Sequence, residues 1–302
     1  MGTLDEKLVT LLAEEIRPLI RSEIRVAQGE AVGTLPVGVS QIGGMPDLPA
    51  DFVWPLYEED GQPLPLAFFA QIDCREASAY DREGLLPKDG MLSFFYELNA
   101  MRWGFDPADR GCARAYWFPD VSALQRTPPP PEFRWPGWLR GPLPCVPLTF
   151  SACESFPCYD DFCETEALNR ILSAYPSGHF WEYYDEAARS LGWEEESADA
   201  GRSKLLGWPD IWNEPMFFEC EAVTNGIYMG DEGWMDKLTY EEKKEMMRRA
   251  REDWTLLFQL GTVRDGEHAI YWGDGGHLYF WIRREDLADR DFSKIWMIFQ
   301  CA

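Results

Sequence analysis

The chain has 302 residues, 46% hydrophobic and 15% aromatic, and a formal net charge of −24. So much apolar side chain excludes a disordered polymer, and the negative charge opposes binding to nucleic-acid phosphates. No hydrophobic leader and no apolar run near the ~18 residues of a membrane span stands out, so a soluble cytoplasmic protein without a membrane partner is expected.

In chain order, "TLDEKLVTLLAEEIRPLIRSEI" (3–24) reads as an amphipathic helix. Thr3 and Glu6 have capping-box spacing, and Pro18 predicts a kink or break near residues 14–18. The runs "AFFAQI", "MLSFFYEL" and "ARAYWF", and later "MFFECEAV", "TLLFQL", "HLYFWI" and "IWMIFQ", are short, aromatic and bounded by Gly, Pro or Asp, which is a strand signature. "PCVPLTFSA" adds a strand between the two groups, followed by helices near 165–175 and 179–191. "LTYEEKKEMMRRAREDW" (238–254) opens with Thr239 and Glu242 as a helix cap and places Tyr240, Met247, Ala250 and Trp254 on one side. Clustered strands with helices apart from them predict an α+β fold with mainly antiparallel sheets and N-terminal, central and inserted helices.

Three blocks recur in order. "SQIGGMPDLP" (40–49) resembles "SKLLGWPDIW" (203–212) at an offset of 163 (203 − 40). "LAFFAQID" resembles "TLLFQLGT" with Gln71 on Gln259, and "PKDGMLSFF" resembles "GDGGHLYFW" with Gly90 on Gly276. An internal duplication within one domain over 1–302 is expected, with pseudo-repeats at about 36–150 and 201–302 and a helical connection at about 151–200. The second copy carries Leu206 where the first has Gly43.

These blocks, with "LLPKDGMLSFF", "YWGDGGHLYFWI" and "DLADRDFSKIW", resemble the YwqG-like family of bacterial proteins of unknown function over roughly 36–302. The resemblance implies a bacterial cytoplasmic protein with an internally duplicated α+β fold. It implies no reaction, and it lends some support to a toxin-immunity role.

The Gly-rich turn of "YWGDGGHLYFWI" leads into a strand and not a helix, so it reads as a corner and not as a phosphate cradle. Asp274 and His277, which only the second copy has, are left as candidates for a pocket rim, with Trp272 beside them. His268, and Glu219 or Glu221 from a neighbouring strand, are the partners an acid–base or metal site would need. Gln71 and Gln259, polar residues within apolar strands, are expected to bind backbone across the pseudo-twofold axis or to line a pocket between the copies. Trp135 and Trp138 follow the stretch "PPPP" and are candidates for stacking on a sugar or a partner.

Cys153, Cys158 and Cys163 recur every five residues, which does not suit a zinc knuckle, so no metal and no cofactor is assigned. No catalytic constellation of serine-hydrolase or metalloprotease type is present. The expected function is noncatalytic protein binding, with a basic protein as the partner that the charge favours. The alternatives are a small-molecule or metal-dependent enzyme with a pocket between the repeats, and a carbohydrate-binding module using exposed Trp.

Overall fold

The computed structural model describes residues 5–59, 61–139, 141–175, 180–194, 202–230, 232–265 and 268–302. The fold is α+β, and every strand pairing among the described residues is antiparallel. Ten strands form the main sheet: β1 (Arg21–Gln28), β2 (Gln41–Ile42), β3 (Ala67–Asp73), β4 (Met91–Tyr96), β5 (Ala113–Phe118), β6 (Val146–Ser155), β7 (Ser203–Leu206), β8 (Trp254–Leu260), β9 (His277–Arg283) and β10 (Trp296–Gln300). Their spatial order is β10-β9-β8-β7-β1-β6-β2-β3-β4-β5.

This order divides the sheet at its centre. Two meanders, β2–β5 and β7–β10, run outward from the antiparallel pair β1–β6. Neither central strand pairs with the meander that follows it in the chain: β1 pairs with β7, and β6 pairs with β2. The registers match across the centre. Ile24 faces Leu205 and Val146 faces Ile42, an offset of 122 (146 − 24). The same offset carries Ala27 onto Thr149, and those two residues face each other. The outer registers also correspond, with Gln41 on Gln71 and Lys204 on Gln259, and bulges at Phe68/Ala70 and Leu256/Phe258.

Laid flat, β4 and β8 would be about 29 Å apart, because six inter-strand steps of ~4.8 Å separate them. Yet the Phe94 ring lies 4.9 Å from Phe258 and 5.1 Å from Phe280. The sheet therefore curls, and its two halves face each other across one core that contains Ile24, Phe69, Phe94, Phe258 and Phe280. Near-continuous apolar runs follow from this arrangement: β3, β4, β8 and β10 are buried along their whole length, so alternation is lost.

Helices cover the outer face of the second half. α1 (Glu6–Ile16) buries Leu8, Leu12 and Ile16 at four-residue spacing, and Asp5 caps it by accepting the Lys7 amide. Thr3, expected as the cap, lies outside the described residues. The helix stops well before residue 24. Pro18 leads into a 3-10 turn, Arg17–Leu19, after which "RSEIRVAQ" is β1. α2 (Tyr159–Cys163), α3 (Glu166–Ala174) and α4 (Trp181–Ser190) follow β6, and α3 and α4 pack on α1.

"MFFECEAV" is no strand. It forms α5 (Phe217–Thr224), which starts after Pro215 and ends at Asn225-Gly226. Six of its eight residues are buried, and an apolar run that short carries no periodicity by which to choose. α6 (Tyr240–Asp253) has the expected capping box of Thr239 and Glu242, but it buries Met246 and Ala250 and leaves Tyr240 exposed.

Candidate functional site

Each half of the sheet contains the same hydrogen-bonded lock. In the first, the Asp47 amide donates to Gln71 Oε1 at 2.8 Å, and Gln71 Nε2 donates to Asp47 Oδ2 at 2.6 Å and to the Val39 carbonyl at 2.9 Å. In the second, the Asp210 amide donates to Gln259 Oε1 at 2.9 Å, and Gln259 Nε2 donates to Asp210 Oδ2 at 2.7 Å and to the Arg202 carbonyl at 3.2 Å. Ser40 Oγ accepts the Asp73 amide and Ser203 Oγ accepts the Gly261 amide. Both Gln side chains are thus saturated within their own half and do not reach across the axis. The turn between lock and strand holds Gly43 at φ 62° and Leu206 at φ 62°. A Cβ on Gly43 would run into the Pro144 carbonyl, so the first half demands glycine there.

The floors under the two locks differ. In the first half Gln41 donates to the Gly43 and Met45 carbonyls and accepts a 3.7 Å contact from the Cys145 thiol. In the second, the corresponding pair is Lys204 and Glu23. Lys204 Nζ lies 3.0 Å from Glu23 Oε2 and 2.9 Å from Asp210 Oδ1, and Arg202 Nη1 is 3.1 Å from that same Asp210 oxygen. Burial alone would lower the Lys204 pKa, but the Asp210 and Glu23 carboxylates raise it above the ordinary lysine value. Burial likewise acts to raise the Asp210 pKa, and the Lys204 and Arg202 cations overcome it, leaving it lowered.

The lids differ as well. Arg126 closes the first lock with a 2.7 Å bond to Asp47 Oδ1, while its other nitrogens donate to Thr34 and to the Leu35 carbonyl. The Asp47 side chain is 0% exposed, whereas that of Asp210 is 29% exposed. Asp210 forms part of the lining of a cavity of about 310 Å³ between the outer face of the second half and residues 156–159, 184–188 and 193–194. Tyr159, Tyr184, Trp193, Trp212 and His277 also line it. A second cavity of about 400 Å³ adjoins it over β6, β1 and β7, sharing Trp193, Arg202 and Asp210, and brings in Arg25, Arg82 and Glu154.

His277 is 3% exposed. Its Nδ1 accepts the Trp212 indole N–H at 2.6 Å, and its Nε2 is buried. The Arg202 carbonyl is the backbone acceptor that faces the ring and favours its charged form. Burial brings the imidazole pKa down to about 4, against the influence of Asp210, so the ring is neutral at pH 7. Cys158, which also lines the cavity, has its thiol pKa pushed well up by burial and the nearby Asp161.

The other expected residues lie apart from this cavity. Asp274 is exposed on the turn, and Trp272 is fully buried with its indole donating to the Gly261 carbonyl. The turn is a close corner: Trp272 and Gly276 bridge it, and a Cβ on Gly276 would strike the Gln300 carbonyl. Glu219 and Glu221 stand on α5 and not on a strand, and Glu221 bonds Trp254 and Arg283. The His268 side chain and all of His179 lie outside the described residues. Trp135 packs against the core beside Phe133, and Trp138 is 43% exposed with its indole donating to the Leu98 carbonyl. Cys153, Cys158 and Cys163 are free thiols, and among the described residues no group of three or more His, Cys, Asp or Glu side chains is placed to hold a metal.

Of the residues singled out in the sequence, His277 lines this cavity and Gln259 bonds Asp210 at its edge; Lys204, Glu23, Asp210, Arg202 and Trp212 were not singled out there. The aligned blocks contained part of the signal, since they set Lys204 on Gln41 and Asp210 on Asp47.

A family model described as a domain of unknown function (DUF1963) matches residues 40–301, and the chain belongs to that family. No curated protein matches the chain. Among the described residues, no helix is long and apolar enough to cross a membrane.

Proposed function

We propose that this protein binds a small polar molecule, without transforming it, in the cavity of its second half. The observation that carries this reading is the contrast between Asp47, sealed under Arg126, and Asp210, open beside Trp212 and His277. Concave sites with a few convergent polar groups among aromatic walls are where small ligands settle. The chemistry around the cavity favours holding over reacting. A histidine whose pKa is about 4 is a poor proton carrier at neutral pH, and a thiol with a raised pKa is a poor nucleophile. The matched locks and registers support reading the 302 residues as one domain built from a doubled unit, in which the units exchange their first strands. The resemblance to YwqG-like proteins supports a bacterial, cytoplasmic setting.

Size-exclusion of the protein with a small-molecule cell extract, followed by mass spectrometry of the retained fraction, tests the reading. The expected result is a compound retained by the wild type and lost when Ile211→Trp fills the cavity, with the circular dichroism unchanged. Equal retention by both proteins, or none by either, would overturn it.

A second reading rests on the net charge of −24, which favours encounter with a basic protein, including a toxin to be neutralised. Pull-down at low and high salt tests it, and the absence of any salt-sensitive partner counts against it.

A further inference from the structure

Ile211 and Trp212 line the cavity described above, and the next two residues, Asn213 and Glu214, line a separate one of about 470 Å³. Its walls include Trp103, Phe105, Met229 and Trp234. Trp103 is 40% exposed and stacks on Phe299 at 4.6 Å, while Trp234 leans on Phe218 at 5.3 Å. Both indoles are therefore positioned by their neighbours.

The lining holds two acids, Glu214 and Glu219, and no base. Glu219 projects from α5 and is only part-buried, so its carboxylate is open to the cavity. Among the described residues no donor and no cation engages it, and burial, then the nearby Glu214, brings its pKa up to about 7. The surrounding charges are used elsewhere. Glu214 faces Glu164, whose cation is Arg251 at 3.3 Å. Lys243 and Arg110 stand over the Trp234 and Trp296 rings at 5.8 and 5.4 Å, and neither forms an ion pair with Glu214 or Glu219 among the described residues. An enclosed carboxylate without a counter-ion is what a bound cation relieves.

The rest of the lining selects the kind of cation. Magnesium and calcium want about six or more oxygen ligands. No group of three or more His, Cys, Asp or Glu side chains among the described residues is placed to hold a metal. Gln300 is spent as well: its oxygen accepts the Trp212 and Asn213 amides, and its nitrogen donates to the Glu214 carbonyl. A primary ammonium needs acceptors for three N–H groups, whereas an alkylated one needs few and is drawn to the faces of indole rings.

We infer that this cavity binds an alkylated ammonium group, with Glu219 as its counter-ion and Trp103 and Trp234 as its aromatic walls.

Four probes test it, each titrated calorimetrically into the full-length protein at about pH 8, where Glu219 is mostly ionised: tetramethylammonium, methylammonium, tert-butanol and Mg²⁺. Tetramethylammonium should bind about tenfold more tightly than tert-butanol, which has a similar shape and no charge, and more tightly than methylammonium. Glu219→Gln keeps the side-chain shape and should abolish the preference for tetramethylammonium over tert-butanol, with circular dichroism unchanged. Trp103→Leu, which keeps the backbone bond from the Phe299 amide, should weaken tetramethylammonium binding about fivefold. No binding of tetramethylammonium, equal binding of tert-butanol or methylammonium, displacement by Mg²⁺, or wild-type affinity in Glu219→Gln would each overturn the inference.

Discussion

In the half built on β2–β5, an Asp–Gln lock is floored by two neutral side chains, Gln41 and Cys145, and sealed by Arg126. In the half built on β7–β10, the same lock is floored by Lys204 and Glu23, and its aspartate faces a cavity. One geometry is thus maintained over a charged and over a neutral floor. The neutral version shows that the scaffold does not need the ion pair. Burying two charges carries a desolvation cost that a neutral pair avoids, so the charged version is poorly explained by stability. Its position under an open carboxylate is better explained by what the cavity holds.

The widest gap between the halves is expected from Lys204→Gln. This change takes from the buried Glu23 its 3.0 Å cation, leaving Arg25 at 3.6 Å, and should cost ~3 kcal/mol in urea unfolding. Adding Glu23→Cys installs the pair found in the first half and should recover most of that loss. If the double variant is as unstable as the sum of the two single ones, the halves are not interchangeable at this position and the comparison breaks.

His277 sharpens the comparison through pH. Its folded pKa, about 4, lies below the unfolded value near 6.5, so the unfolded chain binds the extra proton between these limits. The stability that neutral His277 supports is present above pH 6.5 and is lost as pH falls toward 4, by up to ~3 kcal/mol. Asp161 acts oppositely in much of the same window, because burial raises its pKa to about 7. The test is therefore the difference between wild type and His277→Gln, measured at pH 7 and again near pH 4.5. That difference should shift in favour of the variant as the solution is acidified. The corresponding position in the first half is Met91, which does not titrate, so Met91→Leu should show no such trend.

Much of this fold could be read from residue patterns. The strands β3, β4, β5, β8, β9 and β10 are compact aromatic runs closed by Gly, Pro or Asp, and the Thr239 cap announces α6. β1 was hidden because its role depends on partners far along the chain: Ile24 pairs with Ala152 and Leu205, which no local pattern records. α5 was misread because burial on nearly all sides erases helical periodicity. The site was half visible for the same reason. Lys204 and Asp210 lie within one recognisable block, but Glu23 reaches them only because β1 crosses to the far meander. His277 was noticed for its turn, whereas its environment comes from Trp212, a residue 65 positions away.

The smallest effect separates the two lids. Arg126→Ala removes the guanidinium from an aspartate that is fully buried, where water does not screen the pair. Asp47 would keep the Gly38 amide and Gln71 Nε2 as donors but lose its only nearby cation among the described ion pairs. A loss of about 2 kcal/mol is expected. Arg202→Ala leaves Asp210 with Lys204 and Gln259 and with partial access to water, so a loss below about 1 kcal/mol is expected. Thermal unfolding of the two variants side by side measures the gap. Equal losses would mean that Asp210 is as closed in solution as Asp47, and the asymmetry on which the binding reading stands would disappear.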